Sequence, residues 1–81
     1  MSTTANNAQV QQLQNNLNNI WDDIDRIMLR KEDALLCASV FTKAEWGFRY
    51  YMDIVEGLNK NLENLFWLRK VTKEQLFEAM G

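Results

Sequence analysis

Six apolar residues in the first third of the chain have the spacing of a heptad repeat. Successive members lie three and four residues apart in alternation, and in chain order they are Val10, Leu13, Leu17, Ile20, Ile24 and Ile27. In an α-helix this spacing places all of the side chains on one face, which can pack against a second helix as a seam. The repeat therefore predicts a helix that needs a helical partner, but it does not name that partner.

Residues that interrupt helices are almost absent from the chain. There is no proline, and the three glycines are Gly47, Gly57 and Gly81. Because proline and glycine mark most turns and loops, their scarcity predicts an all-α chain. The boundaries between helices must then come from capping residues.

A capping box with a hydrophobic staple begins at Thr42. In such a box the Thr42 hydroxyl accepts from the backbone of Glu45, the Glu45 side chain accepts from the backbone of Thr42, and Phe41 packs on Trp46. A second box has the same pattern, and its residues are Val71, Thr72, Gln75 and Leu76. Helices are therefore predicted to begin at residues 42 and 72.

These boundaries predict a single helical domain, residues 1–81, in which residues 1–4 are disordered. The predicted fold is a long antiparallel helical hairpin over residues 5–40 and 42–70, followed by a short C-terminal helix over residues 72–80. Thr3 or Thr4 would cap the first helix. The alternative is a break near residues 31–33, where the heptad places the charged residue Lys31 on the apolar face.

An antiparallel alignment about Phe41 sets apolar residues of the two helices opposite one another. The predicted pairs are Ile20 with Leu62, Ile27 with Val55, Ile24 with Leu58, Leu17 with Leu65, and Ala34 with Phe48. The same alignment brings Asp22 near Lys60 and Arg26 near Glu56. Exposed ion pairs add only about 0.2 to 1 kcal/mol each, so we expect these to select the register more than to stabilise it.

The second helix has more apolar surface than a two-helix hairpin covers, since its apolar residues span an arc of roughly 200°. Oligomerisation into a helical bundle, with a homodimer favoured, would cover the excess, and a different protein would serve equally well. The predicted self-association or partner interface consists of Tyr50, Ile54, Leu65, Trp67 and Leu68. Tyrosine and tryptophan are enriched in binding hot spots, which favours this choice.

The chain has few residues that could support catalysis or bind a metal. One cysteine and no histidine exclude an internal disulfide and a Cys/His zinc site. The acidic cluster of Asp22, Asp23 and Asp25 lacks the glycine and distal glutamate of a calcium loop. Known catalytic and nucleotide-binding motifs are missing, so the chain is predicted not to be an enzyme and to have no catalytic, metal or cofactor residue. Cys37 is predicted to be a small buried side chain rather than a reactive thiol.

Together these features predict a small non-enzymatic protein–protein interaction module, such as an adaptor, inhibitor or assembly subunit, that acts through coiled-coil or bundle packing. A net charge of −2 argues against a nucleic-acid partner. One alternative is still a nucleic-acid-binding regulator that would use Arg49, Arg69, Lys70 and Lys73, and another is a chaperone-like subunit stable only with a cognate protein. The chain has no signal-peptide pattern or membrane-length apolar run, which predicts a cytoplasmic protein, or one of the host cytoplasm if viral, with no membrane partner.

Overall fold

The computed structural model describes residues 3–81, with side chains from residue 7 onward, and contains two long α-helices. Helix α1 spans Thr3–Ser39 and helix α2 spans Trp46–Met80. The two pack against each other as a hairpin that measures 64 × 15 × 12 Å, and residues 3–81 contain no strand. The predicted all-α hairpin is confirmed. Met1 and Ser2 of the segment expected to be disordered lie outside the described residues, as do the side chains of Thr3 and Thr4, the expected caps of α1.

The heptad face of α1 packs on α2 as predicted and extends beyond the six residues of the seam. Its most buried members are Ile20, Ile24, Ala34 and Ala38. Helix α1 continues without interruption through residues 31–33, so the alternative of a break there is wrong. Lys31 is half-buried on this face, where its aliphatic stem can pack while its ammonium group reaches water.

Helix α2 has a matching inner face with the same spacing of three and four residues. Val55, Leu62 and Thr72 are its buried members. The central core consists of Ile20, Ile24 and Leu62, against which Ile27 and Leu65 also pack. Leu65, predicted to belong to an outer interface, therefore contributes to the core of the hairpin.

The separate C-terminal helix predicted from the second capping box does not form, because α2 runs unbroken to Met80. The Thr72 hydroxyl donates to the backbone carbonyl of Leu68 at 2.8 Å, a contact within the helix, and Thr72 is 5% exposed. Thr72 lies on the inner face, and packing against α1 holds this part of α2 in the helix. A capping sequence that coincides with a packed helical face does not end the helix.

The connection between the helices occupies residues 40–45, so α2 begins at Trp46 rather than at Thr42. Only half of the predicted capping box forms. The Glu45 carboxylate accepts from the backbone N–H and the hydroxyl of Thr42, at 3.2 and 3.1 Å. The Glu45 N–H, however, donates to the Thr42 carbonyl at 3.0 Å instead of to its hydroxyl. Residues 42–45 thus close a turn ahead of the helix.

This longer connection changes the register of the hairpin. Phe41 stacks on Tyr51, with 6.0 Å between the ring centroids, and Arg69 lies over Trp21. These contacts show that each residue of α1 faces a residue of α2 about seven positions, one heptad, later in the chain than the predicted alignment gives. Ala34, rather than Ile27, consequently lies at the level of Val55. A shift of one heptad keeps apolar residues opposite apolar residues, so the apolar pattern could not distinguish the two registers.

The cross-helix ion pairs predicted to select the register are not formed. Among the residues that the structure describes, the one ion pair joins Arg26 to Asp23 on α1 at 3.7 Å. Both partners are largely exposed and lie three residues apart on the same helix. The register is set by the position of the turn and by packing at the hairpin tip.

Candidate protein-interaction surfaces

Large apolar side chains are exposed more often than they are buried in the described part of this chain. Six apolar residues are buried, whereas fourteen large ones are exposed to solvent. Scattered apolar residues are normal on a protein surface, but a contiguous apolar patch usually marks an interaction site. Exposed apolar residues that lie together are therefore the candidates for an interaction site.

One stripe of apolar residues lies beside the seam and uses both helices, with the polar Asn59 between its two members on α2. On α1 it contains Trp21, Met28 and Leu35, which follow one another at intervals of seven residues and are 40 to 45% exposed. Each comes directly after a residue of the inner face, as do Met52 and Phe66 on α2. In an antiparallel pair, positions with this relation to the seam lie on the same side. We call these five residues the Trp21 flank.

Arg69 joins the two helical parts of the Trp21 flank. Its guanidinium carbon lies 4.6 Å from the ring centroid of Trp21 on α1 and 5.1 Å from that of Phe66 on α2. Contacts between a cation and aromatic faces at these distances are favourable. Among the described residues, no carboxylate lies within ion-pair distance of Arg69. The cation is thus held on aromatic rings at the edge of an exposed surface.

Next to the Trp21 flank, α1 carries two further exposed leucines, Leu29 and Leu36. Two shallow cavities lie between these leucines and the flank. The first is lined by Asp25, Met28, Leu29 and Glu32. The second is lined by Glu32, Leu35 and Leu36. The apolar stripe is therefore broader on α1 than on α2, and acidic side chains border it.

Four of the five predicted interface residues are exposed, but they do not form one surface. Ile54 and Leu68 directly precede residues of the inner face, so they lie on the side opposite the Trp21 flank. Trp67 lies on the outer surface of α2, and Tyr50 is near the tip. On the same side as Ile54, α1 presents mainly polar residues, namely Asn16, Asp23, Arg30 and Cys37. Only the Trp21 flank continues over both helices.

The sequence interpretation missed the Trp21 flank because it looked for excess apolar surface on the second helix alone. The signal that could have found the flank is the seven-residue spacing of Trp21, Met28 and Leu35, which runs parallel to the seam.

The prediction that Cys37 is a buried side chain is wrong. Cys37 is exposed rather than buried, because the inner face passes through Ala34 and Ala38 on either side of it.

A cluster of aromatic rings covers the tip of the hairpin. Trp46 meets Tyr50 edge to face at 5.6 Å, and Tyr50 meets Tyr51 in the same way at 5.2 Å. Phe41 packs directly on Gly47, where a Cβ atom would lie 2.7 Å from the ring. The predicted staple of Phe41 on Trp46 is wrong, since Trp46 is 78% exposed and turns toward Tyr50.

The described residues assemble no site for metal binding, which the sequence argued against, or for the alternative of nucleic-acid binding. No group of three potential metal ligands comes together there, and Asp22, Asp23 and Asp25 are exposed. Arg49 lies near the tip and Lys70 and Lys73 near the open end, about 30 Å away along the same helix. The basic residues are therefore not a single patch. Within the same range, neither helix has the length and hydrophobicity needed to cross a bilayer.

No protein-family model matches the chain, and no curated protein or solved structure is significantly similar to it.

Proposed function

We propose that this chain is a small non-enzymatic interaction module that acts by packing a helical face against another helical protein, as in a coiled coil or helical bundle. The observation that carries the proposal is the Trp21 flank. It is an exposed apolar stripe, it extends over both helices, and it runs parallel to the core of the hairpin. Such a stripe has the shape and chemistry of the face by which a hairpin joins a larger bundle.

The small core of the hairpin supports the same proposal. Only six apolar side chains are buried, and Ile24 is the one large side chain that is fully enclosed. Chains of this size gain little net stability from a single core, and association is a common remedy. Complete burial of a Leu, Met or Phe side chain contributes about 1.5 to 3 kcal/mol. Covering the Trp21 flank would therefore add substantially to the stability of the folded chain.

The proposal is tested by photo-crosslinking in the cells that produce the protein. A photoreactive phenylalanine analogue replaces Met28 in the flank, and in a matched control it replaces Asn19, which is exposed on the polar surface of α1. We expect a covalent adduct with a protein, either another copy or a different chain, from position 28 but not from position 19. Equal or absent crosslinking at the two positions would contradict the proposal.

A further inference from the structure

We propose that a pocket of aromatic side chains at the tip of the hairpin binds the guanidinium group of an arginine on a protein partner. The pocket is an open cavity of about 450 Å³. It is lined by four aromatic residues, one glycine and one carboxylate, namely Phe41, Glu45, Trp46, Gly47, Tyr50 and Tyr51. We call it the tip pocket. The inference goes beyond the proposed function, because it concerns a surface separate from the Trp21 flank.

The tip pocket lies on the side of the seam opposite the Trp21 flank. Gly47 and Tyr50 each directly precede a residue of the inner face, whereas each member of the flank directly follows one. This relation to the seam places the two surfaces on opposite sides of the hairpin. A residue of the tip pocket can therefore be replaced without altering the flank.

The walls of the tip pocket are rings that meet nearly at right angles. The planes of Trp46 and Tyr50 differ by 88°, and those of Tyr50 and Tyr51 differ by 81°. Trp46 is 78% exposed and Tyr50 is 52% exposed, so a partner can reach both rings. The faces of aromatic rings attract cations, and tryptophan attracts them most strongly. A ligand in the tip pocket can therefore meet ring surface on more than one side.

The carboxylate of Glu45 adds a negative charge that is held in place. One of its oxygens, Oε1, accepts from the backbone N–H and the hydroxyl of Thr42, at 3.2 and 3.1 Å. Among the side chains that the structure describes, none donates to the other oxygen, Oε2. The contacts with Thr42 thus orient the carboxylate and leave Oε2 available to a ligand. Aromatic walls beside such an oxygen favour a cation that has N–H donors.

Of the charged residues that the structure describes, Glu45 alone lines the tip pocket. Lys43 and Arg49 are close in the chain, but Arg49 lies on the side of α2 opposite Gly47. Asp53, one turn after Arg49, offsets its charge. The C-terminal end of α1 and the N-terminal end of α2 both lie at the tip, so their opposite dipoles also offset each other. The charge of Glu45 therefore decides which ligands the pocket attracts.

Arginine fits this combination of groups better than lysine does. A guanidinium group is planar and weakly hydrated, so it can stack on a ring while its edge donates to a carboxylate. An ammonium group is strongly hydrated, and an open pocket would not remove its water. The stacking already occurs within this chain, where the guanidinium carbon of Arg69 lies 4.6 Å from the ring centroid of Trp21. The partner of the tip pocket is therefore a protein segment that exposes an arginine.

A peptide titration followed by nuclear magnetic resonance tests this assignment. The probe is a short peptide of glycine and serine with one central arginine, added to the isotope-labelled full chain at low salt. In two control peptides, lysine or citrulline replaces the arginine, and citrulline has nearly the shape of arginine without its charge. We expect the arginine peptide to shift the indole N–H of Trp46 and the backbone N–H of Gly47 with millimolar affinity.

The control peptides separate recognition of a guanidinium group from weaker forms of binding. The citrulline peptide should bind about tenfold more weakly than the arginine peptide, and the lysine peptide about threefold more weakly. Equal affinity for the citrulline peptide would show that charge is not recognised, and equal affinity for the lysine peptide would show that the guanidinium group is not. Either result would overturn the proposal, as would the absence of shifts at the tip.

Two exposed residues of the tip pocket can be replaced without disturbing the seam. Glu45→Gln removes the charge but keeps an oxygen that can accept from Thr42, and it should weaken binding of the arginine peptide about tenfold. Trp46→Leu removes the most exposed ring and should weaken binding about threefold. The matched controls elsewhere on α2, Glu56→Gln and Trp67→Leu, should leave the affinity unchanged. Circular dichroism checks that every variant remains helical. Unchanged binding by both tip variants would overturn the proposal.

Discussion

The tip half and the open half of the hairpin share the same heptad seam but are packed very differently. All six buried apolar residues lie between Ile20 and Leu62, which is the half toward the tip. In the open half, Val10, Leu13 and Leu17 are only half-buried, and the one buried residue of α2 is the polar Thr72. A heptad repeat therefore determines which helix faces pair, but the size of the side chains and the closeness of the backbones determine how much each layer contributes.

The strongest test of this comparison is a pair of truncations in the seam. Ile24→Ala removes the most enclosed side chain, which is 1% exposed, and should lower the free energy of unfolding by about 2 to 5 kcal/mol. Leu13→Ala, in the open half, should cost about 1 kcal/mol because its side chain is already partly in water. Urea unfolding followed by circular dichroism measures both values. Equal losses would mean that the two halves are equally packed.

A pair of glycine substitutions examines the close packing of the tip. Gly47→Ala should destabilise the hairpin by about 1 to 3 kcal/mol, because the new methyl group overlaps the ring of Phe41. Gly57→Ala is the control, since nothing lies within 4 Å of its Cβ position, and it should stabilise the helix by about 0.5 to 1 kcal/mol. The midpoint temperature of thermal unfolding should therefore fall for Gly47→Ala and rise for Gly57→Ala. A stabilising Gly47→Ala would show that Phe41 moves aside freely.

Thr72→Val tests the interior position of Thr72 in the open half. The substitution keeps the shape of the side chain and removes a hydroxyl that bonds only to the preceding turn of its own helix. We expect a change within about 1 kcal/mol, neutral or stabilising, in the free energy of unfolding. If Thr72 instead capped a separate helix, its loss would cost about 0.5 to 2 kcal/mol. Chemical unfolding distinguishes the two cases by the sign of the change.

The smallest effect should come from the exposed ion pair on α1. Asp23→Asn removes the carboxylate that pairs with Arg26 at 3.7 Å. Because both side chains are more than half exposed, we expect a loss of no more than about 0.5 kcal/mol. Because salt screens exposed charges, the loss measured by unfolding should be smaller still at high salt. A larger loss would mean that surface charge contributes to the hairpin as much as the seam does.

The sequence was sufficient to predict the hairpin and its inner faces. Strict heptad spacing and the near absence of helix-breaking residues are strong signals, and α1 follows them from Val10 to Ala38. Helix ends were harder to predict, because Thr42 and Thr72 have the same local capping pattern but different surroundings. Thr72 faces α1 and stays within a helix, whereas Thr42 lies in the turn. The local sequence cannot show whether such a residue will pack against the other helix or lie in the turn.

Predicting the interaction surface requires the register as well. The Trp21 flank becomes one surface only when Phe66 reaches the level of Trp21, and Arg69 then bridges the two rings. In the register expected from sequence, Phe66 would lie at a different level of α1 and would not meet Trp21. Most of the residues predicted for the interface are exposed. Exposure alone, however, does not reveal on which side of the hairpin apolar residues of both helices form one surface.

The contact between Phe41 and Gly47 gives the short turn a role in choosing between alternative alignments of the two helices. Sliding one helix past the other by a heptad would restore most of the apolar pairs along the seam, so the long helices themselves tolerate the slip. The tip does not tolerate it, because the ring of Phe41 fits only where the backbone of Gly47 comes close. A bulkier residue at position 47 would push the ring of Phe41 aside and weaken this selection, and only the alignment that the tip selects assembles the surface around Trp21.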